Sequence, residues 1–164
     1  MNSSKAGRAV CLDASVLVKK YTTEEGSDRL REFLNGEPTQ YTTPICFFEA
    51  LGVLKVKHFY RKEINRQVYD NAAFELTAWF SCIRNDIKDI EFFSPSIFKL
   101  SQDIAKKYCL DIADAFQILS VKQGFFSVLA GESQTILVTA DSDLAKAAKK
   151  ENIKVWNCLT ADIP

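Results

Sequence analysis

The run Ala9-Val10-Cys11-Leu12 is apolar without a break and stops on a carboxylate, Asp13. Apolar residues with no polar alternation describe a strand covered on both faces, and a parallel sheet between helices covers its strands in that way. In open sheets of this kind, ligands bind beyond the carboxyl ends of the strands. A strand that delivers an acid at its end therefore puts negative charge where a ligand sits. Asp13 is the first candidate functional residue.

The chain after Asp13 alternates between helical and extended patterns. Ala14 to Tyr21 suits a short helix, and Glu24 to Leu34 a second one that stops at Asn35-Gly36. Gln40-Tyr41-Thr42 is β-prone, and Thr43-Pro44 offers an N-cap hydroxyl followed by proline at the first helical position. The helix opened there carries Glu49 and runs to Arg61, and a longer one follows from Ile64 to about Ile87. Together they predict a helical hairpin after the second strand. Ile90-Glu91-Phe92-Phe93 reads as a short strand, and Ser94-Pro95 repeats the helix-start chemistry for a helix ending at Tyr108. A helix carrying Asp114 comes next, then a buried strand Thr135 to Val138, a helix from Asp141 to Lys150 and a last strand Ile153 to Trp156. Strands alternating with helices predict an α/β fold with a parallel sheet.

The 164 residues fit one domain, 1–164, with 1–7 and 160–164 expected to be loosely ordered. Lys plus Arg equals Asp plus Glu at 21 each, which excludes a protein held to nucleic acid by bulk charge and leaves local patches to do that work. The five cysteines, Cys11, Cys46, Cys82, Cys109 and Cys158, are odd in number and form no C-x-x-C pair. Cys11 and Cys46 sit in apolar runs and read as small core residues, so a reducing compartment is expected. The polar start, Met1 to Arg8, does not read as a secretory leader, and no run approaches the ~18 apolar residues of a membrane span. A cytoplasmic protein with no membrane partner is the expectation.

Four carboxylates take positions that such a fold gathers: Asp13 at a strand end, Glu49 on an early helix, Asp114 on a late helix and Asp141 just past another strand. Acids crowded into one crevice repel, and raised pKa values or a bound cation relieve the conflict. Mg²⁺ and Mn²⁺ prefer carboxylate and water oxygens, and such ions activate water against a phosphodiester. Each acid has an ordinary alternative. Asp141 suits a helix N-cap, Asp111 suits the N-cap of the Asp114 helix better than a metal role, and Glu49 suits a solvated helix face.

The chain resembles the PIN-domain ribonucleases, and among them the VapC-type toxins of toxin–antitoxin pairs. The resemblance rests on Leu12-Asp13-Ala14-Ser15-Val16-Leu17, on Phe48-Glu49-Ala50 after a proline, on Ile112-Ala113-Asp114-Ala115, and on Leu137-Val138-Thr139-Ala140-Asp141-Ser142-Asp143-Leu144 followed by a helix and a Val-Trp strand. It implies a three-layer α/β/α sandwich with a central parallel sheet, and a metal-dependent endoribonuclease. The family's four acids carry over onto Asp13, Glu49, Asp114 and Asp141, which would be both catalytic and metal-binding, with Mg²⁺ or Mn²⁺. Ser15 and Thr139 match small hydroxyl positions beside the first and last acids. Asp143 is an auxiliary acid or a first-turn charge favourable to its helix dipole. RNA as substrate, a cognate antitoxin and a homodimer are the implied partners. The segment 124–134 departs from the family by its length.

Local basic groups, Lys19, Lys20, Lys55, Lys57, Arg61 and Lys62, lie on the elements beside Asp13 and Glu49 and suit phosphate contact, or else a solvated lysine face. His58, the single histidine, suits packing better than catalysis. A non-catalytic PIN-like module that binds RNA or protein is the competing reading. A haloacid-dehalogenase type phosphotransferase wants a second Asp where Ser15 stands, and a serine hydrolase wants a G-x-S-x-G elbow that the sequence lacks.

Overall fold

A computed structural model describes residues 9–37, 39–84, 94–124, 127 and 135–162. The apolar run at its start is strand β1 (Ala9–Leu12), buried at all four positions. It pairs in parallel with β2 (Thr39–Tyr41) on one side and β3 (Ile136–Thr139) on the other, and β3 pairs in parallel with β4 (Lys154–Asn157). The order is β2-β1-β3-β4, with Cys11 opposite both Tyr41 and Leu137.

Side chains alternate across a strand, so a sheet covered on both sides feeds two cores. Val10, Leu12, Ile136, Val138 and Trp156 pack on one face with α1 (Ala14–Tyr21), α2 (Ser27–Asn35), α3 (Pro44–Lys55) and α4 (Arg66–Arg84). Ala9, Cys11, Tyr41 and Leu137 pack on the other with α5 (Pro95–Tyr108), α6 (Ile112–Gln123) and α7 (Ser142–Lys150). The result is the expected α/β/α sandwich. Each fully buried Leu or Val contributes about 1.5–3 kcal/mol, which is why β1 needs apolar residues at every position. Cys11 and Cys46 are fully buried core residues.

The hairpin after β2 is present. Phe47 of α3 stacks on Phe80 of α4 at 4.2 Å, and His58 stacks on Tyr69 at 5.2 Å while its Nδ1 meets the Ile64 carbonyl. His58 is thus a packing residue. The first arm is not one continuous α-helix: α3 ends at Lys55 and passes into a π-helical turn, Val56–Tyr60, where Arg61 N donates to Val56 O. The second arm begins at Arg66, two residues after the expected Ile64.

Three helix starts differ in their chemistry. Thr43 caps α3 by accepting from Cys46 N, whereas Ser94 caps nothing, because its hydroxyl pairs with that of Ser96. The helix expected from Glu24 begins at Ser27 instead. Gly26 turns there at φ 82°, a conformation that strains any residue with a Cβ, and a Cβ would also press on the Leu159 side chain at 2.8 Å. The turn leaves the Glu24 carboxylate outside the helix and able to reach α1 and α3. The expected strand 90–93 and nearly all of 124–134 lie outside the described residues, as do 1–8. Residues 160–162 fold back, with the Trp156 indole and Arg29 donating to the Ala161 carbonyl. No helix among the described residues is long and apolar enough to cross a membrane.

Candidate active site

Strands β1 and β3 lie side by side, yet the helices that leave them go to opposite faces of the sheet, α1 to one and α7 to the other. Divergence of this kind opens a crevice at the carboxyl ends of the two strands. Asp13 stands at one lip and Asp141 at the other. Glu49 arrives from α3 in the first layer and Asp114 from α6 in the second, and all four acids line one cleft of about 410 Å³ together with Asp111. The structure thus brings the four acids together.

Asp13 is 5 % exposed and held on every side. Its Oδ2 accepts from the Ser15 hydroxyl at 2.5 Å, from Ser15 N at 3.3 Å and from the Thr139 hydroxyl at 2.9 Å. Both hydroxyls also accept from the backbone beyond β3, Ser15 from Ala140 N and Thr139 from Asp141 N. They therefore relay hydrogen bonds from the end of one strand to the acid at the end of its neighbour. Burial pushes the Asp13 carboxyl above its usual range, and the hydrogen bonds from Ser15 and Thr139 offset part of that rise.

Gln117 completes the cage. It lies one turn past Asp114 on α6 and is fully buried. In the amide orientation that pairs donors with acceptors, its Nε2 donates to Asp13 Oδ1 at 3.3 Å and its Oε1 accepts from Asp13 N at 3.2 Å. The amide also abuts the thiols of Cys46 and Cys11. Sequence reasoning missed this residue. The available signal was one amide in the otherwise apolar stretch Ala115 to Leu119, since a core tolerates such a group only with partners.

Asp114 carries the electrostatic signature of the cleft. Burial, then the neighbouring Asp13, Asp141, Glu49 and Asp111, raise its pKa from 3.8 to about 7. Glu49 rises as well, through burial and then Asp13 and Asp111. Asp111 sits at the N-cap position of α6 without a side-chain capping bond, so its carboxylate lines the cleft instead of closing the helix end. Asp141 does cap α7, its Oδ1 accepting from Asp143 N and Leu144 N, while lining the cleft. Asp143 lies outside the lining and turns to Lys146 at 3.1 Å. Of the basic residues, Lys19 and Lys57 line the cleft; Lys20 turns away to Gln40 and lies over the Trp79 ring.

Among the described residues, no three Asp, Glu, His or Cys side chains close to metal-holding spacing. The Asp13 and Asp141 carboxylates are engaged in hydrogen bonds. The donor set is nonetheless carboxylate oxygen throughout, without histidine or thiol in the lining. Such a set fits a hard divalent cation, which would relieve the repulsion that adds to burial in lifting Asp114.

No curated protein matches the chain. The family model of the PIN domain matches residues 10–150, a span that takes in every acid of the cleft, and the chain belongs to the PIN-domain family.

Proposed function

We propose that this protein is an endoribonuclease of the VapC toxin type, hydrolysing RNA phosphodiester bonds with Mg²⁺ or Mn²⁺ held by Asp13, Glu49, Asp114 and Asp141. PIN domains are in general metal-dependent nucleases, and the family carries the coarse reading. The observation that carries the finer one is the cleft itself: carboxylates from both helical layers converge where β1 and β3 part, and burial, then their crowding, lifts Asp114 to about 7. When bound, a divalent ion supplies an activated water and offsets charge on the phosphate. Asp13, caged by Ser15, Thr139 and Gln117, offers a fixed oxygen wall. Glu49 and Asp114 face the same space from opposite layers, and Asp114 gives up its proton near neutral pH.

A cognate antitoxin and a second copy of the chain are the proposed protein partners, in a cytoplasmic setting. The exposed aromatic side chains Phe48, Tyr60 and Phe74 of the hairpin arms, each about 70 % exposed, support a protein partner there. The toxin role rests on the four motifs that resemble VapC toxins.

The test is incubation of the purified chain with labelled single-stranded RNA in Mn²⁺ or Mg²⁺. Cleavage that stops in EDTA is the expected result. Cleavage that survives EDTA, or none in either metal while RNA still binds, overturns the proposal, and the latter outcome selects the non-catalytic module. A related expectation concerns Gln117. Gln117→Leu removes the contacts on Asp13 Oδ1 and N while Ser15 and Thr139 keep Oδ2, so the Mn²⁺ concentration for half-maximal cleavage rises roughly tenfold, as for other partners of metal-binding groups. Electron paramagnetic resonance of free Mn²⁺, without RNA, reads the same loss directly.

A further inference from the structure

Six acids and two lysines face the cleft, and the lysines do not stand among the four site acids. Lys19 lies one turn beyond Ser15 on α1, and Lys57 lies in the π turn that extends α3 beyond Glu49 and Val53. Both side chains are sheltered, at 12 % and 17 % exposed, and both are held by one carboxylate. Glu24 Oε1 takes Lys19 Nζ at 3.1 Å and Oε2 takes Lys57 Nζ at 2.7 Å. Burial alone would raise Glu24, but the two lysines hold its pKa below the usual carboxylate value, so the carboxylate stays charged.

The donors can be accounted for one by one. An ammonium group has three N–H donors. Lys19 Nζ also donates to the Glu25 carbonyl at 3.0 Å, and Lys57 Nζ also meets Glu63 Oε2 at 2.8 Å. Each lysine therefore uses two donors and keeps one, among the described residues, and both side chains line the cleft. Within the acid-lined cleft, Lys19 and Lys57 are the cations that a phosphate strand would meet.

The geometry points to Lys19 and Lys57 as the subsite for an RNA backbone phosphate beside the one that is cut, with Glu24 as the positioning residue that fixes both ammonium groups. The inference rests on the nuclease reading for its substrate but not on the metal. Lys20, Lys55, Arg61 and Lys62 are outside the cleft lining and take no part. Contacts of this kind place the strand without reading its bases.

The experiment measures anisotropy of a fluorescein-labelled single-stranded RNA in the Asp114→Asn background, where the strand is not cut. Wild-type cleavage is assayed separately, so that loss of the nuclease reading registers on its own. Lys57→Gln and Lys19→Gln are each expected to weaken binding roughly tenfold at low salt. Each also flattens the slope of log affinity against log salt by about 0.7, the share of one phosphate contact on a single strand. Lys57→Arg restores most of the slope, and Glu24→Gln does not flatten it, because both cations remain. Lys154→Gln, on β4 and outside the cleft, matches the parent. If Lys57→Gln and Lys19→Gln keep the parent's slope, with circular dichroism showing a folded chain, the subsite assignment is overturned.

Discussion

Asp114→Asn is expected to lower metal-dependent RNA cleavage roughly 10³-fold, the scale seen when one group that stabilises developing charge is removed. The same substitution is expected to raise the melting temperature of the metal-free protein. Burial and four neighbouring acids penalise the charged form of Asp114, and the neutral amide of near-equal shape escapes that penalty. Among the described residues, no side-chain hydrogen bond of Asp114 holds the fold at that place. Activity and stability thus move in opposite directions, which a purely structural acid does not produce. Asp13→Asn is expected to lose activity to a similar extent but to lose stability too, because its carboxylate accepts from Ser15 and Thr139 in the core. Nuclease assays paired with thermal melts separate the two residues. Full cleavage by Asp114→Asn, or a lower melting temperature in the metal-free state, removes Asp114 from the site.

Much of this arrangement was legible in the sequence because its signals are local. An apolar run ending on Asp13 and a Thr-Pro helix start before Glu49 are patterns of adjacent residues, and the structure has β1 and α3 where they fall. Ser94-Pro95 shows the limit of that logic: proline sits at the helix start, but the Ser94 hydroxyl finds Ser96 before it finds a helix N–H. What was not legible depends on contacts between distant segments. Gln117 has meaning only beside Asp13, over one hundred residues earlier, and the Asp111 carboxylate faces the cleft because nothing at its own helix end engages it. Lys55 and Lys57 look alike in the sequence. Lys57 follows Glu49 and Val53 at four-residue steps and lies in the cleft wall, within the π turn, whereas Lys55 is exposed outside it. Glu24 pairs with Lys19 and Lys57 from a turn, because the helix expected from Glu24 begins only at Ser27.

The second large effect is a dependence of stability on pH that divalent metal reverses. Asp114 has a folded-state pKa of about 7 against 3.8 for the free side chain, so between those values the folded chain binds more protons than the unfolded one. Stability then falls as pH rises across that window and levels off above it, because the slope follows the protons bound by the unfolded state minus those bound by the folded state. Asp13 and Glu49 are raised as well and act in the same sense. Glu151, held near 2 first by Lys122 and then by Tyr108 and Lys107, acts in the opposite sense: its stability is present above 4.5 and is lost as pH falls from there through about 2, at the acid edge of the window. A divalent ion held at the cleft would bind the deprotonated acids of the folded state, so its contribution would run the other way. At about one hundred times its dissociation constant it adds about 2.7 kcal/mol. For a chain of this length, that is a rise of roughly 5–10 °C in melting temperature. Thermal melts at pH about 5 and about 8, with EDTA and with Mn²⁺, are expected to show a lower metal-free value at the higher pH and a larger gain from Mn²⁺ there. Asp114→Asn should flatten the metal-free trend and shrink the gain. A Mn²⁺ response that is equal at both pH values, or greater at the lower one, means that the ion does not compete with protons for these carboxylates and that the cleft is not its site.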